Sequence, residues 1–180
     1  MKNAFTMLEL IFVIVVVGIL AAVIIPNTKS SPEREAAIQL VSHIRYTQHL
    51  AMVDDKFDAS DASWYKNRWQ IVFNGNQYSI VSDNNTRFAL NPINRDENLS
   101  NIDLDEKYST SIALSGGCNG QISFDHLGRP LNGDLNTYTS SYTITATGQL
   151  MTATCVITLT NGAENVIINV EPETGYAHII

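Results

Sequence analysis

The longest apolar run of the chain lies near its N-terminus and covers residues 5–25, which read FTMLELIFVIVVVGILAAVII. Only Thr6 and Glu9 place polar side chains within it. At about 1.5 Å per residue, a helix of this length would extend roughly 30 Å, close to the thickness of the apolar layer of a bilayer. The run therefore predicts a transmembrane helix.

A secretory signal peptide and a plain membrane anchor are the alternatives for this segment. The run exceeds the roughly 7 to 15 apolar residues of a signal peptide, and Pro26 follows it where a small-x-small cleavage site would be expected. A plain anchor leaves Glu9 unexplained, because a carboxylate among lipid tails costs about 3 kcal/mol unless it is paired or reaches the membrane surface. Glu9 therefore indicates either a carboxylate at the interface or one that pairs with a cation.

A second pattern with helical spacing follows the first. Pro26 disturbs the first helix because it lacks a backbone donor, whereas Ser31 and Pro32 make a good helix start. The residues from Pro32 to Val53 predict an amphipathic helix with one apolar stripe that packs on a sheet. The apolar positions are Ala37, Leu40, Val41, Ile44, Ala51 and Met52.

The rest of the chain predicts antiparallel strands. Residues 69–73 and 78–81 flank Asn74-Gly75-Asn76, which is a strong hairpin signal. The polar stretch 83–108 predicts a long loop. Further strands are predicted at 111–114, 121–124, 142–146, 152–160, 165–171 and 176–180. The expected fold class is α+β, with a helix packed on an antiparallel sheet.

Charge narrows the choice of partners. The net charge is −7, and no Lys or Arg follows Arg129. An acidic chain is repelled by phosphate backbones, and the second half cannot form a basic stripe. Nucleic acid is therefore not an expected partner.

The two cysteines, Cys118 and Cys155, predict either one disulfide in an exported domain or two separate buried thiols. Neither lies in a C-x-x-C pair, so no metal site or cofactor is expected. Asp125-His126 could lie near Ser123 or Cys118, but no nucleophile elbow or cysteine-protease signature accompanies it. The sequence therefore predicts no catalytic residues and no enzyme activity.

Two polar stretches each match part of a known site pattern. Asp54, Asp55, Asp58 and Asp61 predict a solvated acidic loop, with calcium binding as the alternative, although the spacing of a calcium loop is absent. Residues 96–100, which read DENLS, resemble the acid-extended glycosylation sequon used by some bacteria. Chance occurrence in an Asn-rich loop is the alternative for Asn98.

The N-terminal residues also resemble a known processing site. Residues 4–10, which read AFTMLEL, are similar to the site of type IV prepilins and type II secretion pseudopilins, in which a basic leader precedes a Phe and a Glu follows four residues later. Lys2 supplies the leader charge. Gly18 and Pro26 lie where this family commonly has a helix Gly and a kinking Pro.

The resemblance implies how this segment is processed. A prepilin peptidase would remove residues 1–4 and methylate the new amino group of Phe5. Glu9 would then pair with the amino terminus of a neighbouring subunit during filament assembly, since an ion pair offsets part of the cost of burying each charge. The chain departs from the family at Ala4, where Gly is usual.

For the whole chain, the resemblance implies a leader at 1–4, a transmembrane or filament-core helix at 5–27 and a periplasmic pilin-like headgroup at 28–180. The expected fold has one long N-terminal helix, half in the membrane and half amphipathic, on an antiparallel sheet. The expected location is the bacterial inner membrane, crossed once. Partners would be other pseudopilins or pilins, the prepilin peptidase and the assembly platform, with no small-molecule substrate.

Three local patterns resemble the GspH/FimT branch of minor pseudopilins. They are the Arg-bearing helix segment 40–51, the strand 69–73 and the Phe-x-x-x-Gly turn within 122–130. The implied function is a structural minor pseudopilin of a type II secretion system or type IV pilus, supporting pseudopilus assembly and protein secretion. The alternatives are a membrane-tethered periplasmic binding or adhesive module and a major pilin.

Overall fold

The computed structural model describes residues 6–24, 31–141, 149–162 and 164–180. The chain divides into two compact units, Met1–Ser31 and Pro32–Ile180. The first unit contains helix α1 (Met7–Ile24). The second contains helix α2 (Pro32–Val53), the short helix α3 (Leu104–Tyr108), ten strands within the described ranges and two 3-10 turns at Trp64–Asn67 and Leu135–Thr137.

Helix α2 has the bounds that the sequence predicts. Pro32 is its first residue, a position at which the missing N–H of proline has no helical partner to lose. Its buried stripe follows the apolar spacing and includes Ala37, Leu40, Val41 and Ile44. The predicted amphipathic helix is confirmed, and it packs against strands of both sheets.

The first sheet has the strand order β3-β2-β1-β6-β7, with β4 also paired to β2. Ile71 is central, because it pairs with Ile80 on one side and with Ile122 on the other, and all three side chains are buried. The predicted hairpin is confirmed, with Gly75 in the turn at φ +60°. The strands are β1 (Gln70–Asn74), β2 (Gln77–Ser82), β3 (Arg87–Phe88), β4 (Ile102–Asp103), β6 (Gln121–Phe124) and β7 (Pro130–Asn132).

The second sheet has the order β10-β9-β8-β5 and is antiparallel throughout. One face of β8 and β9 packs in the core through four buried side chains, those of Ile157, Leu159, Ile168 and Val170. Side chains of this face alternate with half-exposed ones, as expected for a sheet that is covered on one side. The strands are β5 (Ser111–Gly116), β8 (Cys155–Asn161), β9 (Glu164–Val170) and β10 (Ala177–Ile179).

The predicted pilin-like fold class is wrong. The N-terminal part is not one long helix, because α1 ends at Ile24 and α2 begins separately at Pro32. The described strands also form two antiparallel sheets, where one was expected. The ring of Pro32 disfavours helical backbone at Ser31, which lies outside both helices, so the second helix is a new start and not a continuation.

The predicted membrane assignment is wrong as well. Within the part of the chain that the structure describes, no helix is both long enough and apolar enough to cross a membrane. Helix α1 has 18 residues, whereas a crossing takes about 20, and α2 has charged side chains such as Arg34 and Glu35 on its exposed face. The transmembrane helix and the single-pass location in the inner membrane, with a periplasmic headgroup, are therefore corrected.

Several local predictions also change. The stretch 83–108 is not one long loop, since it contains β3, β4 and α3. The sequence signal for α3 is Asp103, whose side chain accepts hydrogen bonds from the N–H groups of Asp105 and Glu106 and so caps the helix. Strand β7 begins with Pro130 and lies at a sheet edge, where proline is tolerated. The strand predicted at 142–146 lies outside the described residues.

Candidate functional site

Helix α1 has apolar side chains on all sides. Its large apolar side chains between Met7 and Leu20 are all exposed, with exposed fractions from 37% at Val16 to 82% at Met7. We name these side chains the α1 surface. A helix that is apolar all round is normally covered by other structure, and an exposed apolar area of this extent marks an interaction site. The α1 surface is therefore the first candidate for function.

Glu9 lies in the first turn of α1, and its side chain is exposed. Its backbone N–H donates to Thr6 Oγ1 at 3.3 Å and to the Thr6 carbonyl at 3.1 Å. Thr6 and Glu9 thus form one half of a capping box, in which a Thr before the helix caps the third helical residue. An acid in the first turn is also favoured by the helix dipole. Sequence reasoning missed this capping role, although the spacing T-x-x-E was visible.

Gly18 has no structural requirement within the described residues. A Cβ atom added to it would have no heavy atom within 4 Å. Glycine in a helix interior costs roughly 1 kcal/mol relative to alanine, and no contact within the described chain accounts for that cost. Of the other predicted assembly and processing residues, Ala4, Phe5 and Pro26 lie outside the described residues.

In the unit Pro32–Ile180, Arg45 has a structural role. Its guanidinium donates two hydrogen bonds to the carbonyl of Ala177, at 3.1 Å from Nε and 2.7 Å from Nη2. It also lies over the ring of Tyr176, 5.5 Å from the centroid. Arg45 therefore ties α2 to the edge strand β10.

The Phe-x-x-x-Gly turn lies beside the same helix. Phe124 is fully buried at the end of β6, and the carbonyl of Gly128 accepts a hydrogen bond from Gln48 of α2 at 2.8 Å. The helix segment and the turn that resemble the GspH/FimT branch thus meet at the end of α2.

A surface groove of about 370 Å³ lies between α2 and β10 and is lined by Ile38, Val41, Ser42, Arg45, His178 and Ile179.

The disulfide between Cys118 and Cys155 is present, with the two Cα atoms 4.6 Å apart. Cys155 is the first residue of β8 and pairs with Gly116 at the end of β5, so the bridge lies where the two strands already approach each other. The predicted pairing is confirmed. Disulfides are typical of oxidising compartments outside the cytosol.

The acidic loop after α2 is organised by a lysine and a tryptophan. Asp54 accepts a hydrogen bond from Trp69 Nε1 at 3.0 Å and forms an ion pair with Lys56 at 2.8 Å. Burial alone would raise the pKa of Asp54, but the hydrogen bonds from Lys56 and Trp69 and the charges of Lys56 and Arg87 together lower it. Within the described residues, no group of three His, Cys, Asp or Glu side chains is placed to hold a metal ion.

A polar network lies between α2, β2 and α3. The hydroxyl of Tyr78 lies 2.7 Å from Nδ1 of His43 and accepts a hydrogen bond from Gln39 at 3.1 Å. Gln39 in turn accepts hydrogen bonds from Lys107 at 2.7 Å and Tyr108 at 2.8 Å. Burial first and then the charge of Lys107 lower the pKa of His43 to about 4, and burial raises the pKa of Tyr78.

The residues considered for catalysis have structural partners. Cys118 is oxidised in the disulfide and cannot act as a nucleophile. Ser123 is fully buried and donates to Gln70, and the fully buried carboxylate of Asp125 is paired with Arg129 at 2.8 Å. His126, next to this pair, is exposed. These contacts give Cys118, Ser123 and Asp125 structural roles in the fold.

Comparison of the chain with protein-family models, with curated proteins and with solved structures gave no match. The candidates for function are therefore defined by geometry alone. One unit holds an apolar helix with an acid in its first turn, and the other is disulfide-bonded and has a hydrophobic core of its own.

Proposed function

We propose that this chain is a structural subunit of a helical filament of the type IV pilin or pseudopilin class, supporting filament assembly and protein secretion, and that it has no enzyme activity. The observation that carries the proposal is the α1 surface, which is apolar on every side and exposed. Packing against the α1 helices of other subunits would cover that surface.

The position of Glu9 supports a specific pairing in the filament. Packed α1 helices form an environment of low polarity, in which an unpaired carboxylate is unfavourable and an oppositely charged partner is needed. Cleavage before Phe5 would create an α-amino group on Phe5, which lies about one helical turn before Glu9 in the sequence. That amino group, on a neighbouring subunit, is the proposed partner of the Glu9 carboxylate.

Gly18 supports close packing of the same helices. Its missing side chain is not required by any described residue of its own chain, whereas a glycine on a helix surface lets a second helix approach closely. A role at a helix–helix contact would explain why a residue that weakens an isolated helix lies in the middle of α1.

The contacts described above support the proposed lack of enzyme activity. The side chains of Cys118, Ser123 and Asp125 are all held in structural bonds. A binding or adhesive module on a simple tether is the competing function, and it makes no use of the charge on Glu9.

The cap at the start of α1 makes a sharp test possible. Thr6 accepts its hydrogen bond from the backbone N–H of residue 9, which Gln supplies as well as Glu, so Glu9→Gln preserves this cap and removes only the charge. We expect Glu9→Gln and Glu9→Leu to lower the amount of filament by at least about tenfold, because loss of one member of a buried ion pair costs about 3 kcal/mol or more. Sheared filament fractions and electron microscopy measure this amount.

Glu35→Gln is the matched control, since it removes the same charge at an exposed position outside the α1 surface. It should assemble at a level close to that of the unmodified chain. Assembly of Glu9→Gln at that same level would contradict the proposal and favour a tether. N-terminal sequencing of the native protein adds a second check, because the proposal requires a mature chain that begins with a methylated Phe5.

A further inference from the structure

Asn98 lies in an acid-extended sequon on the surface of the unit Pro32–Ile180. The residues are Asp96-Glu97-Asn98-Leu99-Ser100, and neither variable position is proline. N-linked glycosylation requires Asn-x-Ser or Asn-x-Thr without proline at x. The sequence therefore meets the chemical requirement, and the structure tests whether the Asn98 amide is accessible.

The backbone turns Asn98 outward. Residues 97–99 run beside residues 89–91, where the Leu99 N–H donates to the Ala89 carbonyl and Asn98 pairs with Leu90 in an antiparallel bridge. Successive side chains of an extended chain point in opposite directions. Leu99 is buried, with 3% of its surface exposed, and Asn98 is exposed. Leu99 thus anchors the segment while Asn98 faces solvent.

The neighbouring side chains have different roles. The amides of Asn91 and Asn94 both donate to the carboxylate of Glu97, at 3.4 Å and 2.9 Å, and so hold the loop. Within the described ranges, no hydrogen bond to the side-chain amide of Asn98 is found. Asp96, two residues before Asn98, is exposed and offers a negative charge on the same loop.

From this arrangement we infer that Asn98 is an N-glycosylation site. The donor class is an oligosaccharide linked to a polyprenyl diphosphate, and a transferase outside the cytosol carries out the step. The Asn98 amide nitrogen forms a bond to the anomeric carbon, and the bond from that carbon to the diphosphate oxygen breaks. The polyprenyl diphosphate leaves with the electron pair, and the amide loses one proton to a base of the transferase.

This inference does not depend on filament assembly. It requires export, which the disulfide between Cys118 and Cys155 supports. The role of Asp96 is to present a carboxylate that a basic group of the transferase can bind. The chain contains an internal comparison, because Asn84-Asn85-Thr86 is also a sequon, but Ser82 stands where the acid would be.

Intact-mass measurement and peptide sequencing of the protein purified from its source cells test the site. We expect a mass above that of the mature chain by one oligosaccharide, carried by the peptide that contains Asn98. Asn98→Gln should remove the added mass and Asn84→Gln should leave it unchanged. Asp96→Asn should lower occupancy about tenfold, the effect of losing one charge-assisted hydrogen bond.

Ser100→Ala provides a second variant that leaves Asn98 in place, and it should also remove the added mass. Each variant should give the same circular dichroism spectrum as the unmodified chain, which would show that the variant is folded. A native protein at the mass of its unmodified mature chain would overturn the inference. So would an oligosaccharide that persists in Asn98→Gln, or full occupancy in Asp96→Asn.

Discussion

The side-chain amide of Gln48 donates hydrogen bonds to two carbonyls at once, those of Gly128 and Thr174, each at 2.8 Å. Gly128 belongs to the turn after β6 in the first sheet, and Thr174 belongs to the turn between β9 and β10 in the second. One residue of α2 therefore connects the two sheets. The contact is tight, because a Cβ atom on Gly128 would lie 3.2 Å from that amide nitrogen and 3.1 Å from the sulfur of Met52.

Gly128→Ala is therefore expected to lower the free energy of unfolding by about 3 kcal/mol, through a positive φ that alanine adopts poorly and through displacement of the Gln48 amide. Gly120→Ala is the matched control, because Gly120 has φ +75°, close to the +78° of Gly128, but open space around it. The control should lose only about 1 kcal/mol. Urea unfolding followed by fluorescence measures both, and equal losses would contradict the proposed contact.

The disulfide is expected to stabilise the folded state by about 4 kcal/mol in the chain-entropy model, since it closes a sequence separation of 37 residues. Reduction of the native protein should therefore shift its urea midpoint downward. The double variant Cys118→Ala/Cys155→Ala should show the lower midpoint without reductant and no further change when reductant is added. A midpoint that reductant leaves unchanged in the native protein would contradict this expectation.

Stability should fall as the pH falls from about 6.5 to about 4, partly through His43. Burial and the nearby Lys107 lower the pKa of His43 from 6.5 to about 4, so in this window the unfolded state binds a proton that the folded state does not. By linkage, the folded state loses stability through this range and the His43 contribution levels off below pH 4. The total contribution is about 3 kcal/mol.

His43→Gln isolates this contribution, because Gln has no titrating group in the range and can still hydrogen-bond the hydroxyl of Tyr78. The unfolding free energy of the variant should fall less steeply between pH 6.5 and pH 4 than that of the unmodified chain. Further loss of stability below about pH 4 should come from carboxyls such as Asp54, whose pKa is lowered from its ordinary value of 3.8 and acts in the same direction. Identical pH profiles for the two chains would show that His43 is not buried as described.

Short-range chemistry made several features readable from the sequence. The apolar spacing and Pro32 predict α2 with its observed bounds, and Asn74-Gly75-Asn76 predicts the first hairpin. Both depend on the conformational preferences of a few adjacent residues. The capping pair Thr6 and Glu9 depends on the same short-range preferences, through the spacing T-x-x-E.

Long-range contacts account for the predictions that were wrong. The division of the strands into two sheets depends on which strands find each other across the chain, and alternating polarity does not specify a partner. The pairing of Asp54 with Trp69 and that of Arg45 with the Ala177 carbonyl likewise join residues that no local pattern connects.

By itself, the sequence determined the helical spacing of α2, the turn chemistry of the hairpin, the supply of two cysteines and the apolar character of α1, because each follows from residue type and near neighbours. The tertiary structure alone decided that the strands form two sheets joined by Gln48, and that Asn98 faces solvent while Leu99 is buried. These features depend on contacts between distant segments. Such contacts stabilise the fold only after the chain has brought those segments together.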